Sequence, residues 1–243
     1  MTQIIYGKNA VLEWLKSGLA VEKIWFSDDS HKAVPGRIDN AVKVSHLSRE
    51  KLTRIAGNDY HQGIAARIDE TQLYKELDDL FEIAARKKEP LLVGILDSIQ
   101  DPQNLGAIIR SADGAGLHGI IIPKDKSAGL TGVVFKASAG AVAHMAIVRV
   151  VNLARTIEAL KKKGMWFAGA DHHGDRPYYE IDFKGAMGIV MGSEGSGLRR
   201  LVREKCDFLA FIPMSGAVNS LNVSAAASLF FFEARRQRFL VVK

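Results

Sequence analysis

Three stretches of the sequence gather side chains that could bind and align a polar substrate. The first, Asp101-Pro-Gln-Asn-Leu-Gly-Ala-Ile-Ile-Arg110, sets Asn104 and Arg110 on one helical segment. Arg110 stands among Ala107, Ile108, Ile109 and Ala112. A guanidinium there either reaches out to solvent, pairs with Asp113, or clamps a phosphate or carboxylate through its planar fork. The second, Met191-Gly-Ser-Glu-Gly-Ser-Gly-Leu198, has three glycines that let backbone come close to a ligand. Glu194 within it either caps a helix or faces that ligand. The third runs from Ile212-Pro-Met214 to Ser220-Leu-Asn-Val-Ser224 and carries more Ser and Asn than one helix cap needs.

Other chemistries find less support. The glycine spacing is not G-x-G-x-x-G, which speaks against a dinucleotide cofactor. There is no nucleophile elbow and no Walker A loop, and Cys206 has no motif around it. Asp171-His-His-Gly-Asp175 has metal-ligand residue types, but neighbouring side chains of one loop rarely converge on an ion. No metal is expected.

The elements that must hold these residues fall into two regimes. Residues 1 to about 70 alternate short pieces: a helix over Gly7–Lys16, strands over Val21–Phe26, Ala41–Val44 and Gly63–Ile68, and a helix over Arg49–Ala56 capped by Ser48. Residues 71–89 read as a charged linker ending in the helical stripe Glu76–Lys88, stopped by Pro90. From residue 90 to 243 the pattern is βα alternation. Strands are expected at Leu91–Leu96, Gly119–Ile122, Ala146–Val151, Trp166–Ala170, Gly188–Met191 and Phe208–Ile212. Helices are expected at Pro102–Ala115, Thr131–Ala141, Leu153–Lys163, Leu198–Lys205 and Asn222–Arg238. Apolar strands separated by helices make a parallel sheet covered on both faces. Asp101 suits an N-cap and Pro102 the first helical position, so Asn104 lies just beyond a strand's carboxyl end, where α/β sheets bind ligands.

The chain of 243 residues is 47% hydrophobic and 25% charged, a globular composition. A single cysteine excludes an internal disulfide framework and fits a reducing, cytosolic compartment. No apolar run reaches membrane-spanning length, and residues 1–9 lack the pattern of a signal peptide. The net charge of +6 and the pI near 9.4 favour a polyanionic partner such as nucleic acid.

Together the three stretches resemble the motifs of the SPOUT superfamily of RNA methyltransferases, in its ribose 2′-O-methylating SpoU/TrmH family. The match rests on Asn104–Arg110, Gly192–Leu198, and Ile212–Met214 with Ser220–Ser224, in that order. Tyr6-Gly7 and His61-Gln-Gly-Ile-Ala-Ala-Arg67 extend the likeness to the branch acting on guanosine in bacterial 23S ribosomal RNA. Ser193 departs from the residue common at its position. The resemblance implies a fold: a knotted (trefoil) parallel-sheet methyltransferase domain after a small α/β, ribosomal-protein-like RNA-binding domain. It implies S-adenosylmethionine as methyl donor, lined by Gly192, Ile212, Met214 and Leu221, and a homodimer with its sites near the interface. Arg110 would act on the acceptor, with Asn104, Glu194, Ser220 and Asn222 positioning it.

A guanidinium loses its proton only above a pKa of about 12, so phosphate orientation and alkoxide stabilisation suit Arg110 better than the role of base. Three other functions compete with the 23S reading. They are a tRNA ribose methyltransferase, a nicotinamide oxidoreductase and a non-catalytic RNA-binding module. The trio Arg110, Glu194 and Asn222 speaks against the last. The run Leu229-Phe-Phe-Phe232 spreads around a helix, so burial against a symmetric partner is expected.

Overall fold

The computed structural model describes residues 2–27, 42–217 and 219–239. A four-stranded sheet comes first, from β1 (Thr2–Tyr6), β2 (Val21–Ser27), β3 (Lys43–Leu47) and β4 (Ile64–Asp69), in the order β1-β4-β2-β3. Helix α1 (Lys8–Lys16) buries Val11 and Trp14 on one side, and α2 (Arg49–Ala56) buries Leu52 on the other. The Ser48 hydroxyl accepts from the Lys51 amide, the expected cap. Strand β1 was not foreseen. The strand expected at Ala41–Val44 is found at Lys43–Leu47, and Ala41 is outside the described residues.

The larger sheet is wholly parallel and seven-stranded. Its strands are β5 (Leu92–Leu96), β6 (Gly119–Pro123), β7 (Ile147–Val150), β8 (Trp166–Ala170), β9 (Arg176–Pro177), β10 (Met187–Met191) and β11 (Phe208–Phe211). They run in the order β7-β6-β5-β10-β8-β11-β9. The chain first builds outward from β5 and then crosses over to build the other half. The order therefore reverses between β5 and β10, whose register pairs Leu96 with Met191. Every residue of β5, β6 and β10 is buried, as strands covered on both faces require.

One face packs against α4 (Pro102–Ala115), α5 (Gly132–Ala137) and α8 (Val223–Phe239), joining Leu105, Ile108, Phe135 and Phe230 to Ile120 and Ile189. The other packs against α3 (Leu77–Lys87), α6 (Leu153–Lys162) and the single turn α7 (Arg200–Arg203) through Leu80, Leu160 and Val202. Thus α3 is built into the sheet's cover, and Lys75 bridges to Val148 of β7. The small sheet joins the large unit by direct packing. Trp14 meets Phe135 edge-on at 5.5 Å, and Glu13 lies 2.8 Å from His144. No described helix is long and apolar enough to cross a membrane.

Two expected helices are shorter than their sequence pattern. The helix expected at Thr131–Ala141 stops at Ala137, because Ala139 and Gly140 adopt φ values of 53° and 92°. The one expected at Leu198–Lys205 shrinks to Arg200–Arg203, because Leu198 turns inward and is buried.

Candidate active site

The reversal between β5 and β10 puts the loops after both strands side by side, where open α/β sheets bind ligands. After β5, Asp101 accepts from the amides of Gln103 (3.1 Å) and Asn104 (3.2 Å), and Pro102 begins α4. This cap fixes Asn104 in the first turn. At Gly106 a Cβ would lie 2.5 Å from the Ala137 Cβ, so the glycine lets α4 press against α5.

After β10 the glycine-rich loop closes on itself. Ser193 and Gly197 exchange both backbone hydrogen bonds, at 3.1 and 3.0 Å. Gly192 is crossed by the returning strand of the loop: a Cβ there would sit 2.2 Å from the Gly197 carbonyl carbon. The stem is held by Asp97, which is fully buried at the end of β5. Asp97 accepts from the Arg199 amide at 2.8 Å and from Arg199 Nε at 2.6 Å. Nothing in the sequence pointed to Asp97, since its partner lies 102 positions away.

The loop forms one wall of a cavity of about 1100 Å³. Gly192, Ile212, Met214 and Leu221, the four residues expected around a cofactor, all line it, as do Glu194, Ser220 and Asn222. Asn222 links the site. Its Oδ1 accepts from the Ser224 amide at 2.9 Å and caps α8. Its Nδ2 donates to Asn104 Oδ1 at 2.9 Å and to Glu194 Oε1 at 2.5 Å. Capping and site-building are thus done by one side chain. Glu194 also lies 3.5 Å from the Val223 amide, at the positive end of α8. Ser220 is exposed on the cavity wall and makes no hydrogen bond with the described residues.

Arg110 stands apart. It does not line the cavity, and it lies about 9 Å further along α4 than Asn104, at 1.5 Å per residue. It is exposed and pairs with neither Asp113 nor any other described residue.

On the opposite rim the loop after β8 contributes Asp171, His172 and His173. Burial raises the Asp171 pKa, but Arg203 Nε at 2.6 Å and the His173 amide at 2.8 Å more than offset this, so it lies below the usual value. Among the described residues, no three potential ligands gather as a metal site would require. Burial pushes the Cys206 thiol up to about 12, far from a reactive thiolate.

Two family descriptions match the chain: the substrate-binding domain of RNA 2′-O ribose methyltransferases over residues 4–74, and the SpoU rRNA methylase family over residues 91–232. The chain belongs to the SpoU rRNA methylase family. It is an RNA methyltransferase of that family. It is 42% identical over 239 residues to YacO of Bacillus subtilis, a protein assigned to the TrmH family of tRNA/rRNA methyltransferases, with 96% of this chain and 95% of that one covered. It is 50% identical over 197 residues to the 23S rRNA (guanosine-2′-O-)-methyltransferase RlmB of Shewanella oneidensis, covering 81% and 79%. Among solved structures, the AdoMet-bound rRNA methyltransferase of Sinorhizobium meliloti superposes with a TM-score of 0.80 at 25% identity, covering 97% and 87%.

Proposed function

We propose that this chain moves a methyl group from S-adenosylmethionine to the ribose 2′-hydroxyl of a guanosine in 23S ribosomal RNA. The observation carrying this reading is the cavity walled by the loops after β8, β10 and β11, where Asn222, tied to Asn104, joins Glu194 on a glycine loop closed on itself. The donor site fits on two counts. The cavity has the volume of a large cofactor cleft. Its wall combines exposed loop backbone with the apolar side chains Ile212, Met214 and Leu221. When bound, the donor supplies an electrophilic methyl on a sulfonium.

The chain's own residues must then hold the acceptor in line and manage one proton. The 2′-oxygen gives its electron pair to the methyl carbon, the carbon–sulfur bond breaks towards sulfur to leave a neutral thioether, and the hydroxyl proton passes to solvent water in the open cavity. Alignment dominates such a displacement. Asn104, Glu194 and Asn222 hold one another in a single geometry, and Ser220 presents a free hydroxyl beside them. Arg110 lies outside its own chain's cavity, on α4 beside the exposed face of α8, so in the homodimer it binds the phosphate and steadies the developing alkoxide of an acceptor held at the second copy's cavity.

Residues 1–70 serve as the RNA-binding part, 71–89 as the connection and 90–243 as the transferase. The C-terminal segment threads a loop to form the trefoil knot. The active species is a homodimer. Phe230 and Phe231 are fully buried within the chain, but Leu229 (38%) and Phe232 (50%) stay exposed. They border an apolar hollow with Tyr178, Leu221 and Ala225, and a second copy would cover it. Sedimentation should give twice the chain mass at micromolar concentration, and a monomer would reject the dimer.

A tRNA substrate is the second reading, since the name of YacO covers tRNA and rRNA alike. Labelled donor offered with purified unmodified 23S rRNA and with bulk tRNA decides between them. The expected result is label in 23S rRNA, mapping to one 2′-O-methylguanosine. Label in tRNA alone installs the second reading, and label in neither rejects both.

A further inference from the structure

Cations on this molecule are not used alike. Along α3, α6 and α7 several are neutralised: Lys163 pairs with Asp78, Lys161 with Asp207, Lys205 with Glu158, and Arg203 with Asp171. Around the turn Asp59–His61, between α2 and β4, they are not. Arg49 and Lys136 approach this turn and neither forms an ion pair with a described residue. Lys136 Nζ donates to the Tyr60 carbonyl at 3.0 Å. The Lys8 amide donates to Gln62 Oε1 at 2.9 Å. Arg49 is close enough, with Lys136, to oppose charging of buried His61, an effect second to burial itself.

Tyr60 projects from the middle of this turn. It is 71% exposed, the most exposed aromatic side chain among the large hydrophobics described. Its ring is nevertheless fixed. Lys136 Nζ lies 4.5 Å from the ring centre over one face, leaving the other open to a flat partner. Beneath it the turn is locked by hydrogen bonds. Asn58 Oδ1 accepts from the Tyr60 amide at 2.9 Å. His61 Nδ1 accepts from the Gly63 amide at 3.0 Å, which leaves the ring proton on Nε2 to reach Thr53 Oγ1, also 3.0 Å away. The Thr53 hydroxyl then donates to Asp59 at 2.9 Å, occupying the turn's own carboxylate.

A rigid exposed aromatic ring framed by unpaired cations is the arrangement that stacks unpaired nucleotides, the ring taking the base and the cations the phosphates. The patch also draws on both matched regions, since Lys136 belongs to α5 of the large unit. We propose that Tyr60, framed by Lys136 and Arg49, is a stacking platform for one unpaired base of the RNA. This deepens the function proposed above and rests on its RNA substrate.

The test uses the full chain and three probes: a twelve-residue oligouridylate, an RNA duplex of the same length, and poly-glutamate. Tyr60→Ala should weaken oligouridylate binding about tenfold or more, while Tyr60→Phe stays close to wild type. Duplex binding and donor affinity should be unchanged in both. With 23S rRNA as substrate, Tyr60→Ala should raise KM for RNA by a similar factor and leave kcat nearly intact. Oligouridylate binding by Tyr60→Ala within twofold of wild type overturns the platform. So does poly-glutamate binding as tight as RNA and equally lost in Tyr60→Ala, which assigns the patch to an acidic peptide. Either result, with wild-type methyl transfer intact, leaves the proposed function standing. A wild-type chain that methylates no RNA rejects that function and the platform with it.

Discussion

Replacing Arg110 with alanine is expected to slow methyl transfer by about two orders of magnitude or more, the size of a lost electrostatic contact to a transition state. Donor affinity should stay within about twofold, because Arg110 is no part of the cavity wall. The side chain is exposed and unpaired, so its removal leaves no buried group stranded and should not disturb the fold. Arg110→Lys should restore little, since an ammonium cannot grip a phosphate with two parallel hydrogen bonds. Single-turnover transfer, with donor binding titrated on the same protein, separates this from a surface arginine that only tunes solubility. A near-normal rate for Arg110→Ala would remove it from the chemistry.

Gly192→Ala should have the opposite signature. Its new methyl would meet the Gly197 carbonyl carbon at 2.2 Å, the Gly197 oxygen at 2.4 Å and the Leu198 nitrogen at 2.4 Å. All three are backbone atoms, so no side chain can rotate away. The neck between Ser193 and Gly197 must open, and the wall of the donor cavity moves with it. Overpacking of this kind costs about 1–3 kcal/mol, which in a chain of this size lowers Tm by about 2–12 °C. Donor affinity should fall about a hundredfold. Gly185→Ala is the control, since nothing lies within 4 Å of a Cβ there. Calorimetric titration showing Gly192→Ala within threefold of wild type would mean that the loop does not shape the donor site.

What could be read in advance was whatever is written locally. Asp101 and Pro102 announced the start of α4, and the apolar strands with helices between them announced a covered parallel sheet. The glycine loop was visible as a turn after a strand, but not as a closed ring, because its clamp joins Asp97 to Arg199 across 102 positions. Local pattern showed Asn222 only as one of several polar residues before a helix, and the family resemblance was what singled it out. Its second task, binding Asn104, depends on strand order, which local pattern does not carry. Strand β9 has two residues and shows no alternation to detect. The placing of Arg110 beside Asn104 in one motif suggested a shared pocket, yet neither lines the cavity: Asn104 is tied to it through Asn222, and Arg110 lies six residues further along the helix. The aromatic run at Leu229–Phe232 was expected to overflow one helix, and half of it does.

The Asp97 clamp also bears on how the protein acquires its fold. Its two partners, like Asn104 and Asn222 at a separation of 118, meet only after a long intervening stretch of chain has been laid down. Closing such loops is entropically slow, and contacts of high sequence separation lag behind helices and hairpins. Strands β5 to β7 with their helices can assemble early from near neighbours. The insertion of β10 beside β5 must come later, and only then does buried Asp97 gain its counter-charge. Until that step the half-built sheet carries an unpaired carboxylate at its centre, so the donor cavity and the finished sheet arrive together.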